Sequence, residues 1–512
     1  MKMANKVIML SGCVFFFISN AQAINTSSIK VKNITLKQKG LLDRKHLQPL
    51  LNQHIGKSMV ISDLRHLSNQ LTEVYQNAGY PLVRVVLPPQ KIENGNIVLE
   101  VVDTQVRKVA INNKSQVKES VIAPYVHNAV QPNQTLNQNK SEKALLLLKD
   151  IAGINNVTYQ LSNAQDGVQL DVDIQPTSLF DGYISVDNYG SKSTGELRTN
   201  IAVNANSPLG YGERFSLDAM TSFKGIYHAK LRTEVPVGYQ GAKVNGAVSH
   251  TRYDLGGDFK NLDATGNSTT ASMGVNYPLK RSNKSSIWLN SNLQYNDLQD
   301  KVGSTNTVTN KTSKSVTIGI NGSFQDDILA GGYTQFGLNN TFGHLNIESP
   351  DAKAIDTHSA KTDGSFYKAN INLSRTQYFN PQWSLIASLN AQLSNKNLDS
   401  SEQLSAGGTN GIAAYHSNDL SADQGVMGKL ELRYRVNPYL VLSGFYDAGT
   451  FKLRHNPYTN NDNSVNLQGA GLGLYGNYKH FNVESKIAWR VGNQKFSNDK
   501  NPRVWISGNY QF

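Results

Sequence analysis

From Asp181 to Phe512 the apolar residues recur every second position. Leu197, Thr199, Ile201, Val203 and Ala205 alternate with Arg198, Asn200, Ala202, Asn204 and Asn206. Ile287, Leu289, Ser291, Leu293 and Tyr295 alternate with Trp288, Asn290, Asn292 and Gln294, and Tyr367, Ala369, Ile371 and Leu373 with Lys368, Asn370, Asn372 and Ser374. A period of two belongs to strands, whose successive side chains point to opposite faces. Asn, Gln, Ser and Lys on the second face suit a wet lumen behind a lipid-facing wall. The connections alternate as well. Short ones lie at Pro208–Gly212, Pro236–Gly241, Pro278–Lys284, Asn380-Pro381, Asn437-Pro438 and Tyr478–His480. Long ones run over 255–266, 297–311, 343–364, 395–423, 452–464 and 492–502. Short turns on one side and long loops on the other are the rule of membrane barrels. The fold class expected is an all-β transmembrane barrel of about 16 antiparallel strands over 177–512, with both ends of the segment on the short-turn side. A β-sandwich gives no reason for the short–long alternation.

The last stretch fits this reading. Val504, Ile506, Gly508, Tyr510 and Phe512 share one face, and Trp505, Ser507, Asn509 and Gln511 a second, mostly polar one. Tyr510 and Phe512 are read as the closing strand's lipid-facing residues and as an assembly signal. The alternative is an edge strand of a soluble sheet.

Hydropathy alone misses such a protein. Only 39% of residues are hydrophobic, and after the first two dozen no apolar run is long enough for a membrane helix. The N-terminus reads as a signal peptide, residues 1–23: Lys2 and Lys6, an apolar Val7–Ser19, and Ala21-Gln22-Ala23 before a mature Ile24. Leu10-Ser11-Gly12-Cys13 is a rival lipoprotein box. Cys13 is the only cysteine, so the mature chain has no disulfide, thiol nucleophile or Cys metal site. The formal charge of +12 suits anionic lipid; without a Lys/Arg stripe or a recognition motif, nucleic acid is not an expected partner. The 11 histidines are scattered, with no H-E-x-x-H and no i,i+4 pair, so no metal is expected. There is no G-x-S-x-G elbow, and Gly190–Thr194 lacks the upstream glycine of a phosphate loop. No catalytic residue and no cofactor are expected, and the chain is not read as an enzyme.

Ahead of the barrel stand two α+β modules, 24–104 and 105–176. In the first, Ile29–Leu36 reads as a strand. Leu64, Leu67, Leu71, Val74 and Ala78 make one helical stripe with Ser62 as N-cap and Gly79 as stop. Strands Leu82–Leu87 and Asn96–Val102 flank the Asn94-Gly95 turn. In the second, Val106–Ile111 is a strand, a helix capped by Ser115 ends or kinks before Pro124, and Ser141–Ile151 is a helix burying Leu145–Leu148. A hairpin crosses Asp166-Gly167, and Pro176 closes the module.

Tyr80-Pro81-Leu82-Val83-Arg84-Val85-Val86-Leu87-Pro88-Pro89-Gln90, followed by Asn94-Gly95 and an apolar strand, resembles the first POTRA module of the two-partner secretion transporters, the TpsB family of hemolysin and adhesin secretion/activation proteins. Pro88, Pro89, Gln90 and Gly95 carry the motif, and Gly153 with its hairpin resembles the second module. In the barrel, Val186–Gly190 with Ser207–Glu213 resembles the family's opening hairpin. Ala406–Tyr415 with Leu420–Gly425 resembles the loop, about 395–424, that folds back into the pore. Its expected tip residues are Gly407, Gly408, Ile412, Ala413, Ala414 and Tyr415, with Asp423 and Gly425 behind them. The family tip reads Val-Arg-Gly-Tyr/Phe; Ala413 and Ala414 stand where Arg and Gly are expected. Phe445-Tyr446-Asp447-Ala448-Gly449 matches the strand that supplies the Arg's acidic partner. Alternation turns Lys429, Glu431, Arg433, Arg435 and Asp447 into the lumen. A lumen acid without a cation is costly, so one expectation is that Arg433 or Arg435 pairs with Asp447 and the loop is held loosely. The alternative is that all five are simply lumen charges.

The resemblance implies a Gram-negative outer-membrane pore. Its POTRA modules lie in the periplasm, capture a large secreted exoprotein by β-augmentation and export it without ATP, the client's folding outside driving the transfer. Spacer modules are the alternative. Outer-membrane lipid and, during biogenesis, the barrel assembly machinery are the other implied partners. The first module begins soon after the cleavage site, leaving no room for the family's N-terminal plug helix, so a leaky resting pore is expected. Rival readings are an outer-membrane protein assembly factor of the same superfamily, an outer-membrane enzyme and a passive porin.

Overall fold

The computed structural model describes residues 28–37, 40–417, 419–496 and 500–512. The expected signal peptide, Cys13 and the cleavage site lie outside the described residues. The chain divides into two compact units, Met1–Thr104 and Gln105–Phe512.

The first unit is a three-stranded sheet with two helices: β1 (Asn33–Lys37), α1 (Arg44–Asn52), α2 (Ile61–Asn77), β2 (Val83–Val86) and β3 (Asn96–Asp103), in the order β1-β3-β2. Helix α2 follows from its stripe: Leu64, Leu67, Leu71 and Tyr75 are fully buried against the sheet. At roughly 2 kcal/mol per buried leucine, that stripe holds the unit together without a disulfide. Ser62 is not the cap. Val60 takes that position, and Asp63 Oδ2 accepts its amide at 2.9 Å. Helix α1 was not read from the sequence; Pro49 stands inside it, between the buried Leu47 and Leu51.

The Pro88-Pro89-Gln90 motif has a backbone role. Two prolines end the strand that could have continued along β3. The Gln90 side chain then donates to Val98 O at 2.7 Å and accepts from Val98 N at 2.8 Å, replacing a paired residue. Gly95 sits where a side chain would run into Lys30 O. The edge of β2 is partly closed from α2: Thr72 Oγ1 accepts the Val85 amide at 2.9 Å and Ser68 Oγ donates to Val85 O at 2.5 Å.

The second unit begins with a module of β4 (Gln105–Asn113), α3 (Glu119–Ala129), β5 (Gln134–Thr135), α4 (Gln138–Lys149), β6 (Ile154–Ala164) and β7 (Gly167–Pro176), with sheet order β5-β4-β7-β6. Pro124 lies within α3 rather than ending it. Lys118, not Ser115, precedes the first turn, and Ser115 instead forms a turn on Asn113 Oδ1. Leu147 and Leu148 reach the core, while Leu145 and Leu146 are half-buried.

Sixteen antiparallel strands then close a barrel. They are β8 (Phe180–Asp187), β9 (Arg198–Asn206), β10 (Arg214–Thr221), β11 (Ile226–Val237), β12 (Ala242–Asp254), β13 (Ala264–Arg281), β14 (Ser285–Val302) and β15 (Thr307–Asp326). After β16 (Gly332–Ile347) comes the loop helix α5 (Pro350–His358), then β17 (Gly364–Tyr378), β18 (Trp383–Ser394), β19 (Gln424–Asn437), β20 (Leu440–Lys452), β21 (Ser464–Tyr478), β22 (Phe481–Arg490) and β23 (Arg503–Gln511). The closing seam is short: Tyr183–Asp187 of β8 pair with Ser507–Gln511 of β23. Gly182 and Phe512 exchange backbone hydrogen bonds at 3.1 and 3.0 Å beyond it. The longest strand, β15, spans 20 residues, about 65 Å at the usual rise, twice the ~30 Å hydrocarbon thickness. Strands therefore project beyond the wall away from the module, and the stretches 297–311 and 343–364, expected as loops, are partly strand. Their outward residues turn polar there, which hides the alternation although the ladder continues.

The module is docked on the short turns. Asp150, at the end of α4, takes a bidentate pair from Arg281 at 2.8 and 2.9 Å. Lys243 Nζ reaches Asp150 O and Glu234 Oε1, both at 2.7 Å. The Lys118 amide donates to Gly210 O at 2.8 Å, and its ammonium lies 3.6 Å over the Tyr211 ring. Bidentate Arg–carboxylate pairs fix orientation as well as contact. Asp150→Ala should weaken docking by about 1–2 kcal/mol, roughly tenfold in the docked-to-undocked ratio. Spin labels at Gln160 and Tyr239 should then give a broadened distance distribution; an unchanged one would mean that the apolar contacts hold the module alone.

Candidate pore loop and its lumen seat

Residues 395–423 leave the end of β18 and return to β19 inside the barrel. The loop is pinned first at its root. The Asp423 side chain is fully buried. It accepts from the Leu398 amide at 3.2 Å and Gln403 Nε2 at 2.7 Å on one oxygen, and from the His455 amide at 2.9 Å on the other, with Arg454 at 3.7 Å. Lys311 of β15 pairs with Asp399 at 2.9 Å and with Asp300 at 3.1 Å, and Lys368 of β17 pairs with Glu402 at 2.7 Å. These ion pairs join the loop to strands two and four places before β19 in the wall. Burial works to raise the Asp399 pKa, but the Lys311 ammonium outweighs it and holds the carboxyl below its ordinary value of 3.8.

The tip is seated deeper. A two-residue ladder of Leu404–Ser405 with Ser421–Ala422 brings the halves together. Gly407 packs so closely on His416 O that no side chain fits, and Gly408 has φ +91°. Ile412, Ala413, Ala414 and Tyr415 are all 1% exposed or less, packed with Phe445, Phe451 and Trp505 of the wall. Gly425 lies at the base of the return, where a Cβ would meet Phe451. The Ala413 peptide is held at both ends. Its N–H donates to Asp447 Oδ2 at 3.0 Å, and its C=O accepts Trp505 Nε1–H at 2.7 Å. Tyr189 meets Trp505 edge-on at 5.7 Å, and Tyr415 meets Phe496 likewise at 5.8 Å. Beside the tip remains a lumen cavity of about 810 Å³, with Arg198, Asn372, Asn390 and Lys429 among its lining.

The expected pairing of Arg433 or Arg435 with Asp447 does not form, and register gives the reason. Asp447 faces Lys429 across the ladder, Arg433 faces Ser443 and Arg435 faces Val441. The two arginines thus sit about 13 and 20 Å from Asp447 along the strand. Arg433 pairs with Glu431 at 3.0 Å and stacks 4.4 Å from the Tyr475 ring, whose hydroxyl also reaches Glu431 at 2.5 Å. Arg435 is exposed near the module end, its amide on Gln382 O. Lys429 lies 4.5 Å over the Phe445 ring and 3.6 Å from Glu431. Nor is the tip left loose: the Ala413 backbone N–H meets Asp447 where the resemblance implied a guanidinium. Trp505 was assigned to a mostly polar face and its role missed. An aromatic interrupting a polar lumen phase was the available signal.

The sequence model of the haemolysin secretion/activation family ShlB/FhaC/HecB matches residues 166–476, and that of the ShlB-type POTRA domain matches residues 29–104. The chain belongs to this family of outer-membrane transporters, whose POTRA domains sit in the periplasm. It is 26% identical over 493 residues to the heme/hemopexin transporter protein HuxB of Haemophilus influenzae strain 86-028NP, covering 92% of this chain and 86% of that protein. It is 21% identical over 486 residues to the outer membrane transporter CdiB of Dickeya dadantii, covering 92% and 84%. Among solved structures, CdiB from Escherichia coli superposes with a TM-score of 0.78 at 18% identity, covering 97% of this chain and 93% of that one. BamA from Haemophilus ducreyi, lacking POTRA domains 1–3, gives 0.56 at 15% identity over 95% and 100%. At these identities the structures show a shared fold.

Asp447 accepts a neutral peptide N–H rather than a guanidinium, so the tip is expected to need its acceptor oxygen more than its charge. Asp447→Ala should cost about 1–3 kcal/mol of tip seating and raise the open fraction in planar bilayers roughly 5- to 100-fold. Asp447→Asn, which keeps an acceptor oxygen, should stay near wild type; equal effects of both would restore a cation as the partner. The Asp399–Lys311 pair sets a pH window. A carboxyl with a depressed pKa contributes above its unfolded value and loses that contribution as pH falls through its folded one. Conductance should therefore be flat from about pH 7 to pH 5 and rise only below about pH 4. A rise near pH 6 would assign the latch to another group.

Proposed function

We propose that this outer-membrane transporter captures one large, unfolded exoprotein in the periplasm and passes it through a lumen that its own loop occupies at rest. The supporting observation is a docked module with an open strand beside a barrel whose lumen is occupied by a loop of the same chain. In that module β6 is an edge strand of 11 residues, long enough to pair with an extended segment without reading its sequence. By contrast the β2 edge offers less, since Ser68 and Thr72 already satisfy Val85. The proposed organisation is a signal peptide at 1–23, POTRA modules at 24–104 and 105–176, and a barrel at 177–512. Lumen charges Lys429, Glu431 and Arg433 would keep a passing chain hydrated. Tyr510 and Phe512, on the lipid face of the closing strand, would present the barrel to the assembly machinery during biogenesis. Export is driven by client folding outside, with no nucleotide and no cofactor.

The shared fold with BamA keeps a second reading in play, that of an assembly factor for other outer-membrane proteins. Secretion of a candidate exoprotein encoded beside this gene separates the two. In a deletion strain the product should stay in the periplasm and reach the medium again only with the full-length transporter. Normal secretion with depleted outer-membrane proteins would favour the assembly reading. Photo-crosslinking residues at Thr158, Gln160 and Ser162 should trap the client at least fivefold more than ones at the exposed Arg84 and Val86 of β2; the reverse order would move capture to the first module.

A further inference from the structure

The outer wall of β13–β17 carries a groove of about 930 Å³. Across successive ladders Tyr295 faces Lys314, Lys314 faces His344, and His344 faces Ser365, so all four share one face. It is the lipid face. In the same phase of β15, Val316, Ile318 and Ile320 are exposed, while Lys311 and Ser313 of the other phase are buried on the lumen side. Below Lys314 the outward residues run from Val316 to Phe324 without a charge, about 27 Å along a tilted strand, close to the height of a barrel's apolar band. Above it they are Thr312 and Asn310. Lys314 and His344 therefore stand at the band's upper border, at the end away from the docked module, where outer-leaflet headgroups lie.

Beneath them the groove is apolar. Leu293 and Tyr295 form one wall, Val316 the floor, and Phe342 and Tyr367, with ring centroids 5.1 Å apart, the other wall. Among the described residues Lys314 makes no ion pair. His344 Nδ1 meets Ser365 Oγ at 3.0 Å; a ring accepting there carries its proton on Nε2, free to donate to an anion. Acids stand one outward step above Lys314: Asp297 is in register with Thr312, and Glu348 accepts from Thr312 Oγ1 at 3.0 Å, while Asp363 lies near enough to His344 for their charges to interact.

We propose that this groove binds lipid A of the outer leaflet, with a phosphate on Lys314 and His344 and an acyl chain laid along Leu293, Val316 and Phe342. The chemistry is complementary at both ends: two nitrogen donors for a phosphate at headgroup height, and an aromatic-walled trough for the chain below it. The site lies outside the lumen and is independent of the export reading.

Native mass spectrometry of the full-length protein in detergent tests it with three probes: bis-phosphorylated hexa-acyl lipid A, dephosphorylated lipid A and phosphatidylglycerol. Wild type should retain the bis-phosphorylated form at least fivefold better than either other probe. Lys314→Gln should reduce that preference, and Lys314→Glu with His344→Ala should abolish it. Lys301→Ala, higher on the same face, should leave it intact, and heat-modifiable mobility on gels reports that each variant is folded. Equal retention by wild type and the double variant overturns the proposal. So does equal uptake of phosphatidylglycerol, which would make the groove a general anionic-lipid surface.

Discussion

In hydrocarbon every backbone amide must find its partner within the protein. Most of this chain answers that demand with one closed ladder of sixteen strands, and closure removes every edge along which the wall could open to water or to another chain. Traffic through such a wall must go through its inside, and the inside is filled by a loop of the same chain. The same logic of backbone satisfaction recurs at smaller scale. Gln90 supplies the pairing groups that Pro88-Pro89 cannot, and the Ala413 peptide supplies the donor and acceptor that seat the pore loop.

That seat explains how a tip without an arginine stays in place. A guanidinium would bring charge and reach; a peptide N–H brings neither, so the tip must come closer to the wall. Small residues allow it: Ala413 and Ala414 let the backbone approach Asp447, and Gly469 leaves room beside both. The carboxylate stays buried with one oxygen bonded to the loop, and its cross-strand neighbour Lys429 shares the lumen face. At the root the loop uses largely buried ion pairs, Lys311–Asp399 and Lys368–Glu402. The loop is thus held at both ends, by a gripped peptide at its tip and by buried carboxylates at its root.

The barrel was legible in sequence because its signal is long and repeated, and so were the stripe of α2 and the lumen phase of Lys429, Glu431 and Arg433. What stayed hidden was register. Whether Arg433 or Lys429 meets Asp447 depends on which residues lie opposite, and alternation gives a face but not a partner. Trp505 was hidden for a related reason: its phase was readable, but not that its indole meets a loop 92 residues earlier. Helix α3 was misbounded because Pro124 reads as a breaker, whereas tertiary packing of Ile122 and Tyr125 overrides the local penalty; helix α1 was not read from the sequence. The ends of β14–β17 were taken for loops because a strand beyond the membrane has no apolar phase.

The seating of the tip can be measured directly. Cys13 is the only cysteine, so in a Cys13→Ser background a single cysteine introduced at Ala414 reports on the tip alone. Its rate of labelling by a membrane-impermeant maleimide, in intact outer membranes, should be at least tenfold slower than that of a cysteine at the exposed Ser401. The rate should rise toward the Ser401 value when Asp447→Ala is added. Equal rates at the two positions without that substitution would contradict a tip held in the wall and return the loop to open water.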